Sequence, residues 1–211
     1  MMREYFLPLP VTALAQGIRL HHPAQHLPER VTLESSALDV MTDLKQFAAL
    51  TIEPEASIEA ANAEMIRHGV RLLFVTDAQD GLLGLITATD ILGEKVVQAM
   101  QTREVSREEV LVREIMTAHA YLEAINMADV RGAKVGHVLS TLKRAGRQHA
   151  IVVEVHEPTF HETLAALPHP IPLQTVCGLF STTQIARQLG LQLQSLEVGA
   201  TFAEFETLLA R

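Results

Sequence analysis

Tryptophan is absent from the 211 residues, and aromatic side chains of any kind make up only 4%. The core must therefore be assembled mainly from Leu, Ile, Val, Ala and Met. Cysteine occurs once, as Cys177, so no intramolecular disulfide framework can form. Its setting between Val176 and Gly178 reads as a buried strand position rather than a nucleophile. No apolar run approaches the roughly 20 residues that a membrane-spanning helix needs. Positive charge is scarce as well: 17 Lys and Arg stand against 25 Asp and Glu, a formal charge of -8 at pH 7. A nucleic-acid surface needs clustered Lys and Arg to displace phosphate counterions, so the charge argues against that function, though not against one small basic pocket. Met1 to Leu20 lacks the basic start, long apolar centre and small-residue cleavage site of a signal peptide, and a cytoplasmic protein is the natural reading. Also missing are Gly-x-Ser-x-Gly, His-Glu-x-x-His, P-loop and Rossmann signatures, and Gly17, Gly132 and Gly136 stand isolated.

What is present is an ordinary globular composition, 48% hydrophobic and 20% charged, in a length that suits one large domain or two small ones packed together. Residues 1–35 carry several Pro and His and read as an irregular arm. Beyond them one pattern occurs twice. In the first copy, residues 36–104, Met41-Thr42 precedes an apolar stretch from Phe47 to Ile52 that predicts a strand. Ser57 then caps a helix with Ile58, Ala61, Met65 and Ile66 on one face, closed by Gly69. A strand over Leu72 to Thr76, a turn at Asp80-Gly81, a strand over Leu82 to Thr87 and a helix from about Thr89 to Gln101 follow. In the second copy, residues 105–190, Met116-Thr117 precedes a strand over Tyr121 to Ile125, and Asp129 is placed to cap a helix carrying Val135, Val138, Leu139 and Leu142 that ends at Gly146. His149 to Val153 repeats the buried strand, and Gly178-Leu179-Phe180-Ser181 repeats Gly84-Leu85-Ile86-Thr87. A proline-dense insertion, 157–175, replaces the short hairpin turn and predicts a loop or extended arm. Residues 191–211 form an extension, with a strand over Leu191 to Val198 and a helix bearing Phe202, Phe205, Leu208 and Leu209.

The chemistry-bearing element is Gly84-Leu85-Ile86-Thr87-Ala88-Thr89-Asp90, where a strand gives way to a helix. The first N–H groups of a helix lack intrahelical partners, and the helix dipole makes that end positive. A phosphate can be held there, with the Thr87 hydroxyl as a further donor and the Asp90 carboxylate as acceptor for the two hydroxyls of a ribose. Thr87-x-x-Asp90 and Ser181-x-x-Gln184 are also capping-box patterns, whose plainer role is to start a helix.

The two ordered sets of Met-Thr lead-in, strand–helix–strand–strand–helix order and Gly-apolar-apolar-Thr/Ser exit resemble a stand-alone tandem cystathionine-β-synthase-type (CBS) protein, or Bateman module, over about residues 36–190. The resemblance implies an α/β (α+β-like) fold: two βαββα repeats packed about a pseudo-two-fold axis, with N- and C-terminal extensions. It implies a regulatory module rather than an enzyme, with no required cofactor. It also implies an adenosyl ligand such as AMP, ADP, ATP or S-adenosylmethionine, a homodimer, and a regulated partner protein that the sequence does not name. Carried onto this chain, Thr87 touches phosphate, Asp90 touches ribose, and Leu50 and Thr51 lie near the base. Ser181 keeps the hydroxyl of the second corner, but Gln184 stands where an acidic residue belongs, so the Thr87/Asp90 site is expected to be the better one. Arg71, Arg147 and His149 occupy positions that face phosphate in the family; a solvated charge at a helix C-terminus is the plainer explanation. Two other readings stay open. The module is a ligand-free interaction scaffold whose corners are only caps, or it is an enzyme that uses histidines of the arms (His21, His22, His26, His156, His161, His169). The latter lack companions at a recognisable ligand spacing, and no metal is expected.

Overall fold

A computed structural model describes residues 8–13, 16, 19–20, 28–156, 173–191, 202–203 and 205. From the N-terminus the arm contributes two short strands, β1 (Thr12–Ala13) and β2 (Arg19–Leu20), before β3 (Thr42–Asp43). The first half runs β4 (Thr51–Ile52), α1 (Ile58–His68), β5 (Leu72–Thr76), β6 (Leu82–Thr87), α2 (Ala88–Leu92) and α3 (Glu94–Arg103). After α4 (Val112–Ile115) and β7 (Thr117–Ala118), the second half runs β8 (Glu123–Asn126), α5 (Met127–Val130), α6 (Val135–Ala145), β9 (His149–His156), β10 (Leu173–Ser181) and α7 (Thr182–Gln188). The expected α/β repeat order is therefore present in both halves.

Local chemistry explains most boundaries. The Ser57 hydroxyl accepts from Ala60 N at 3.1 Å to start α1, and Gly69 and Gly146 end α1 and α6 in the left-handed region that a glycine enters without strain. Ile58, Ala61 and Met65 are buried, but Ile66 is 72% exposed. At 3.6 residues per turn, Ile66 lies about 100° from the centre of the stripe set by the other three, so it falls off the buried face. The predicted cap at Asp129 is corrected: Asp129 lies inside α5, which Asn126 caps by accepting from Ala128 N at 2.9 Å. A turn at residues 131–132 separates α5 from α6, and Lys134 N donates to His137 Nδ1 at 3.0 Å at the α6 start. The single helix expected after Thr89 is two, α2 and α3, broken by extended backbone at Gly93.

The first strands are shorter than the apolar runs suggested. Asp43 O accepts from both Gln46 N and Phe47 N, and the Asp43 carboxylate accepts from Lys45 N, so the chain turns there and Phe47 is left 41% exposed. Tyr121 likewise sits in a short 3-10 turn at the surface, before β8 begins. The insertion ends earlier than expected: Leu173–Thr175 belong to β10 and pair with β9, in the register Leu173↔His156. The arm is not wholly irregular. β1 pairs antiparallel with β8 and β2 pairs parallel with β10, each covering an otherwise open strand edge. Phe202 and Phe205 are buried in the core of the second half, as their spacing predicted. The strand expected over residues 191–198 and the rest of the insertion lie outside the described residues.

Two sheets result: β4-β5-β6-β7, and β1-β8-β9-β10-β2 with β3 also on β10. The Met-Thr lead-ins are exchanged. β7, which leads into the second half, pairs with β6 of the first (Gly84↔Ala118), whereas β3 pairs with β10 of the second (Gly178↔Asp43). The backbone bonds repeat the exchange: Ile58 N–Val110 O and Val112 N–Ala56 O on one side, Val135 N–Ser35 O and Ala37 N–Ala133 O on the other. Val110, Val112 and Ile115 thereby enter the first core, and Ala37, Val40 and Met41 enter the second. At roughly 1.5–3 kcal/mol per buried aliphatic side chain, the exchanged residues carry an amount comparable with the ~5–15 kcal/mol net stability of a domain. Neither half is complete without the other. A third cluster, including Leu72, Phe74 and Leu85 of one half and Ala124, Ile151 and Val153 of the other, packs the sheets together. Such pairwise reciprocity is what a pseudo-two-fold axis produces.

Candidate functional site

The reciprocal packing leaves a cavity at each strand-to-helix corner. The first, of about 330 Å³, is lined by Thr87, Thr89 and Asp90 from the first half, Thr117 from the exchanged lead-in, and Glu123, Arg147 and His149 from the second half. The other, of about 400 Å³, is lined by Ser181, Thr183 and Gln184 from the second half, Thr42 from the exchanged lead-in, and Leu50 and Arg71 from the first half. Leu72 and His149, equivalent positions in β5 and β9, line both.

At the first corner the capping box is formed. Asp90 Oδ2 accepts from Thr87 N at 3.0 Å and from Thr87 Oγ1 at 2.6 Å, while Asp90 N donates to Thr87 Oγ1 at 3.2 Å. Asp90 Oδ1 is taken by Lys95 Nζ at 2.6 Å, and the same ammonium reaches Ile115 O and Thr117 Oγ1. A carboxylate offers about four acceptor positions, so roughly one remains for a ligand. Ala88 N donates to Arg71 O at 3.0 Å, which removes another of the helix donors that the sequence left open. Across the cavity Arg147 pairs with Glu123 at 3.5 Å.

The second corner is built on the same plan and satisfied differently. Thr182 N donates to Gln148 O at 2.9 Å, the counterpart of Ala88 N to Arg71 O. The Ser181 hydroxyl makes no cap to α7. Gln184 Oε1 accepts from Thr42 Oγ1 at 3.3 Å, while its buried Nε2 has no hydrogen-bond partner among the described residues. Arg71 Nη2 donates to Thr183 Oγ1 and, at 3.5 Å, to Gln148 Oε1, so one guanidinium ties the first half to the second. Burial lowers the Arg71 pKa from its usual value. Burial, reinforced by the Arg71 charge, pushes the His149 imidazole down to about 4, so it stands neutral between the two cavities at pH 7.

Of the residues singled out in the sequence, Thr87, Asp90, Arg147 and His149 meet in one cavity, and Ser181, Arg71, Leu50 and His149 in the other. Leu50 is therefore not beside Thr87 and Asp90. β5 lies between β4 and β6, so the end of β4 is a full strand away from that corner. Thr51 lines neither cavity. Sequence reasoning passed over Thr42, Thr117, Lys95, Thr183 and Gln148. The signal for Thr42 and Thr117 was present in the repeated Met-Thr dipeptide, whose exchange between halves no local pattern reveals. Among the described residues no group of three or more His, Cys, Asp or Glu could hold a metal ion, and no helix is long and apolar enough to cross a membrane.

Residues 37–97 match the family model of the CBS domain. No curated protein matches the chain. Among solved structures, the chain is similar to an uncharacterised conserved protein from Pyrococcus horikoshii, at 17% identity and a TM-score of 0.50 over 78% of this chain and 99% of that one. It is also similar to a conserved CBS domain protein of unknown function from Thermoplasma acidophilum, at 17% identity and a TM-score of 0.45 over 76% and 72%. A CBS domain pair solved with 5'-methylthioadenosine and S-adenosyl-L-methionine shares 18% identity, with a TM-score of 0.46 over 74% and 96%. The CBS-domain match thus covers residues 37–97 of the first half, and the second half rebuilds the same architecture, so the fold is a reciprocally completed pair of repeats.

Proposed function

We propose that the chain is a regulatory module, not an enzyme, which binds adenosyl ligands such as AMP, ADP, ATP or S-adenosylmethionine in the two corner cavities and reports their occupancy to a partner protein in the cytoplasm. The observation that carries this reading is that each cavity is walled by both halves, with a hydroxyl-bearing corner from one and a basic residue from the other. Cavities of this volume fall in the range of small-molecule sites. A ligand in either one touches both repeats, and so favours one relative placement of the halves over others. Ile66, Leu92 and Val97, on α1, α2 and α3, are exposed apolar side chains that pairing of two chains would cover. Isothermal titration of ligand-free protein with the four ligands tests the reading. Binding that weakens in Asp90→Ala or in Gln184→Glu is the expected result, and no heat from any of them sinks it.

The completed capping box at Thr87 and Asp90 favours a second reading, a ligand-free interaction scaffold whose corners only start helices. Capture of the same partner proteins with and without added nucleotide would select it.

A further inference from the structure

We propose that the cavity at Ser181 and Gln184, whose motif is the less complete of the two, is the phosphate-selective one, and that the cavity at Thr87 and Asp90 favours ligands without phosphate charge. The nucleoside part of the ligand rests on the adenosyl reading above; the phosphate preference rests on the cavity's own residues.

Three observations lead there. The charged residues lining the Ser181 cavity are two guanidinium groups, Arg71 and Arg187, with no carboxylate, whereas the other cavity is lined by two carboxylates, Asp90 and Glu123, and one guanidinium, Arg147. Arg147 is already paired with Glu123, so its charge is largely spent inside its own wall. A phosphate entering the first cavity meets charges already compensated in pairs, Arg147 with Glu123 and Asp90 with Lys95, and so no surplus positive charge; one entering the second meets only positive charge, in a partly enclosed setting where screening by salt is weaker than at an open surface.

The hydrogen-bonding demand is reversed as well. Asp90 can only accept, so it calls for a ligand that brings donors, such as hydroxyls. At Gln184 the carbonyl oxygen is occupied by the Thr42 hydroxyl, and what is left over is the amide Nε2, a buried donor without a partner among the described residues. An unpaired buried donor is costly, and a ligand that supplies an acceptor removes the cost. The Ser181 hydroxyl, which caps no helix, is a second donor at the same corner. With Gln184 where the first corner has Asp90, this corner donates where the other accepts, which is the requirement of phosphate oxygens.

Titration of the full chain with AMP, adenosine and inorganic phosphate, followed by calorimetry, tests the assignment. AMP is expected to bind at least about tenfold more tightly than adenosine, a preference that shrinks as salt rises. Gln184→Glu, which keeps the shape but puts a carboxylate in the donor's place, is expected to abolish that preference and leave adenosine binding within about twofold. Arg187→Gln, at an exposed position, is expected to reduce it, and Asp90→Asn to leave it intact. Unchanged thermal melting of each variant separates loss of binding from loss of fold. A preference that survives Gln184→Glu or disappears in Asp90→Asn overturns the assignment. Equal binding of AMP and adenosine also overturns it, while leaving the adenosyl reading standing. Binding of phosphate and AMP with equal affinity, and none of adenosine, upholds the phosphate cavity and removes the adenosyl reading. No heat from any of the three overturns both.

Discussion

Substituting the two corner glycines by alanine probes the exchanged lead-ins directly. Gly84 and Gly178 occupy equivalent positions on β6 and β10, each beneath the lead-in that the other half supplies. A Cβ built at Gly84 would stand 2.5 Å from the Thr117 carbonyl oxygen and 3.2 Å from Ala118 Cα, both backbone atoms of β7. A Cβ at Gly178 would stand 2.5 Å from Met41 Sδ and 3.0 Å from Met41 Cγ, atoms of a flexible side chain. Backbone cannot retreat without stretching the β6–β7 ladder and carrying Thr117 away from Lys95, whereas a thioether can change rotamer. Overpacking typically costs 1–3 kcal/mol, and loss of glycine's freedom in the unfolded chain returns about 0.4–1 kcal/mol. Gly84→Ala, at the upper end of the overpacking range because backbone must move, should therefore lose about 2–2.6 kcal/mol, and Gly178→Ala about 1 kcal/mol or less. Urea denaturation of both variants beside the parent measures the difference. If Gly178→Ala proves as costly as Gly84→Ala, the claim that backbone contact sets the penalty is wrong.

Other consequences are open to simple measurements. His149 moves from an ordinary 6.5 to about 4 on folding, so between those values the unfolded chain holds the extra proton, and stability present above pH 6.5 is lost as pH falls towards 4. At about 1.4 kcal/mol per pH unit, the loss reaches at most ~3.5 kcal/mol; His149→Gln should show a flatter pH profile in chemical denaturation, and identical slopes would contradict the assignment. Ser57→Ala removes the side-chain acceptor at the start of α1 and should cost about 1 kcal/mol, read as a lower melting temperature. Burial, with the charge of Glu154 adding to it, pushes the Cys177 thiol up to about 11, so a disulfide reagent at pH 8 should label it only after unfolding. Rapid labelling of the native protein would show that β10 opens.

The elements that could be read from the sequence were those set by neighbours along the chain. Ser57 and Gly69 bracket α1 because capping and the left-handed turn are local events, and Leu72 to Thr76 reads as a buried strand because every side chain in it is buried. The failures have the opposite origin. Phe47 looked like strand because it is apolar, but the Asp43 turn diverts the chain first. Asp129 has the chemistry of a cap, and Asn126 lies nearer to the true start of α5. At the site, the corner residues were legible from the duplicated motif. Their partners were not: which first-half residues face which corner depends on how the halves cross. That crossing brings Leu50 to Ser181 rather than to Thr87. The comparison of Asp90 with Gln184 missed the Thr42 hydroxyl for the same reason, since Thr42 reaches Gln184 from 142 positions away.

The exchange also gives the two cavities a shared wall. His149 and Leu72 are a common wall, and Arg71 spans the boundary by holding Thr183 on one side and Gln148 on the other. Gln148 lines the first cavity and Thr183 the second, so the guanidinium is bonded to both. A ligand anion that draws Arg71 towards the Ser181 corner must weaken its hold on the Gln148 side-chain oxygen; the backbone oxygen of the same residue separately accepts from Thr182 N at the start of α7. No hinge or mobile lid is needed for one cavity to sense the other, because two-site coupling requires only that both ligands bias the same pair of arrangements. Here the shared element is a single side chain with two partners. Binding at one corner should therefore change affinity at the other, and by reciprocity the second ligand should change the first by the same factor.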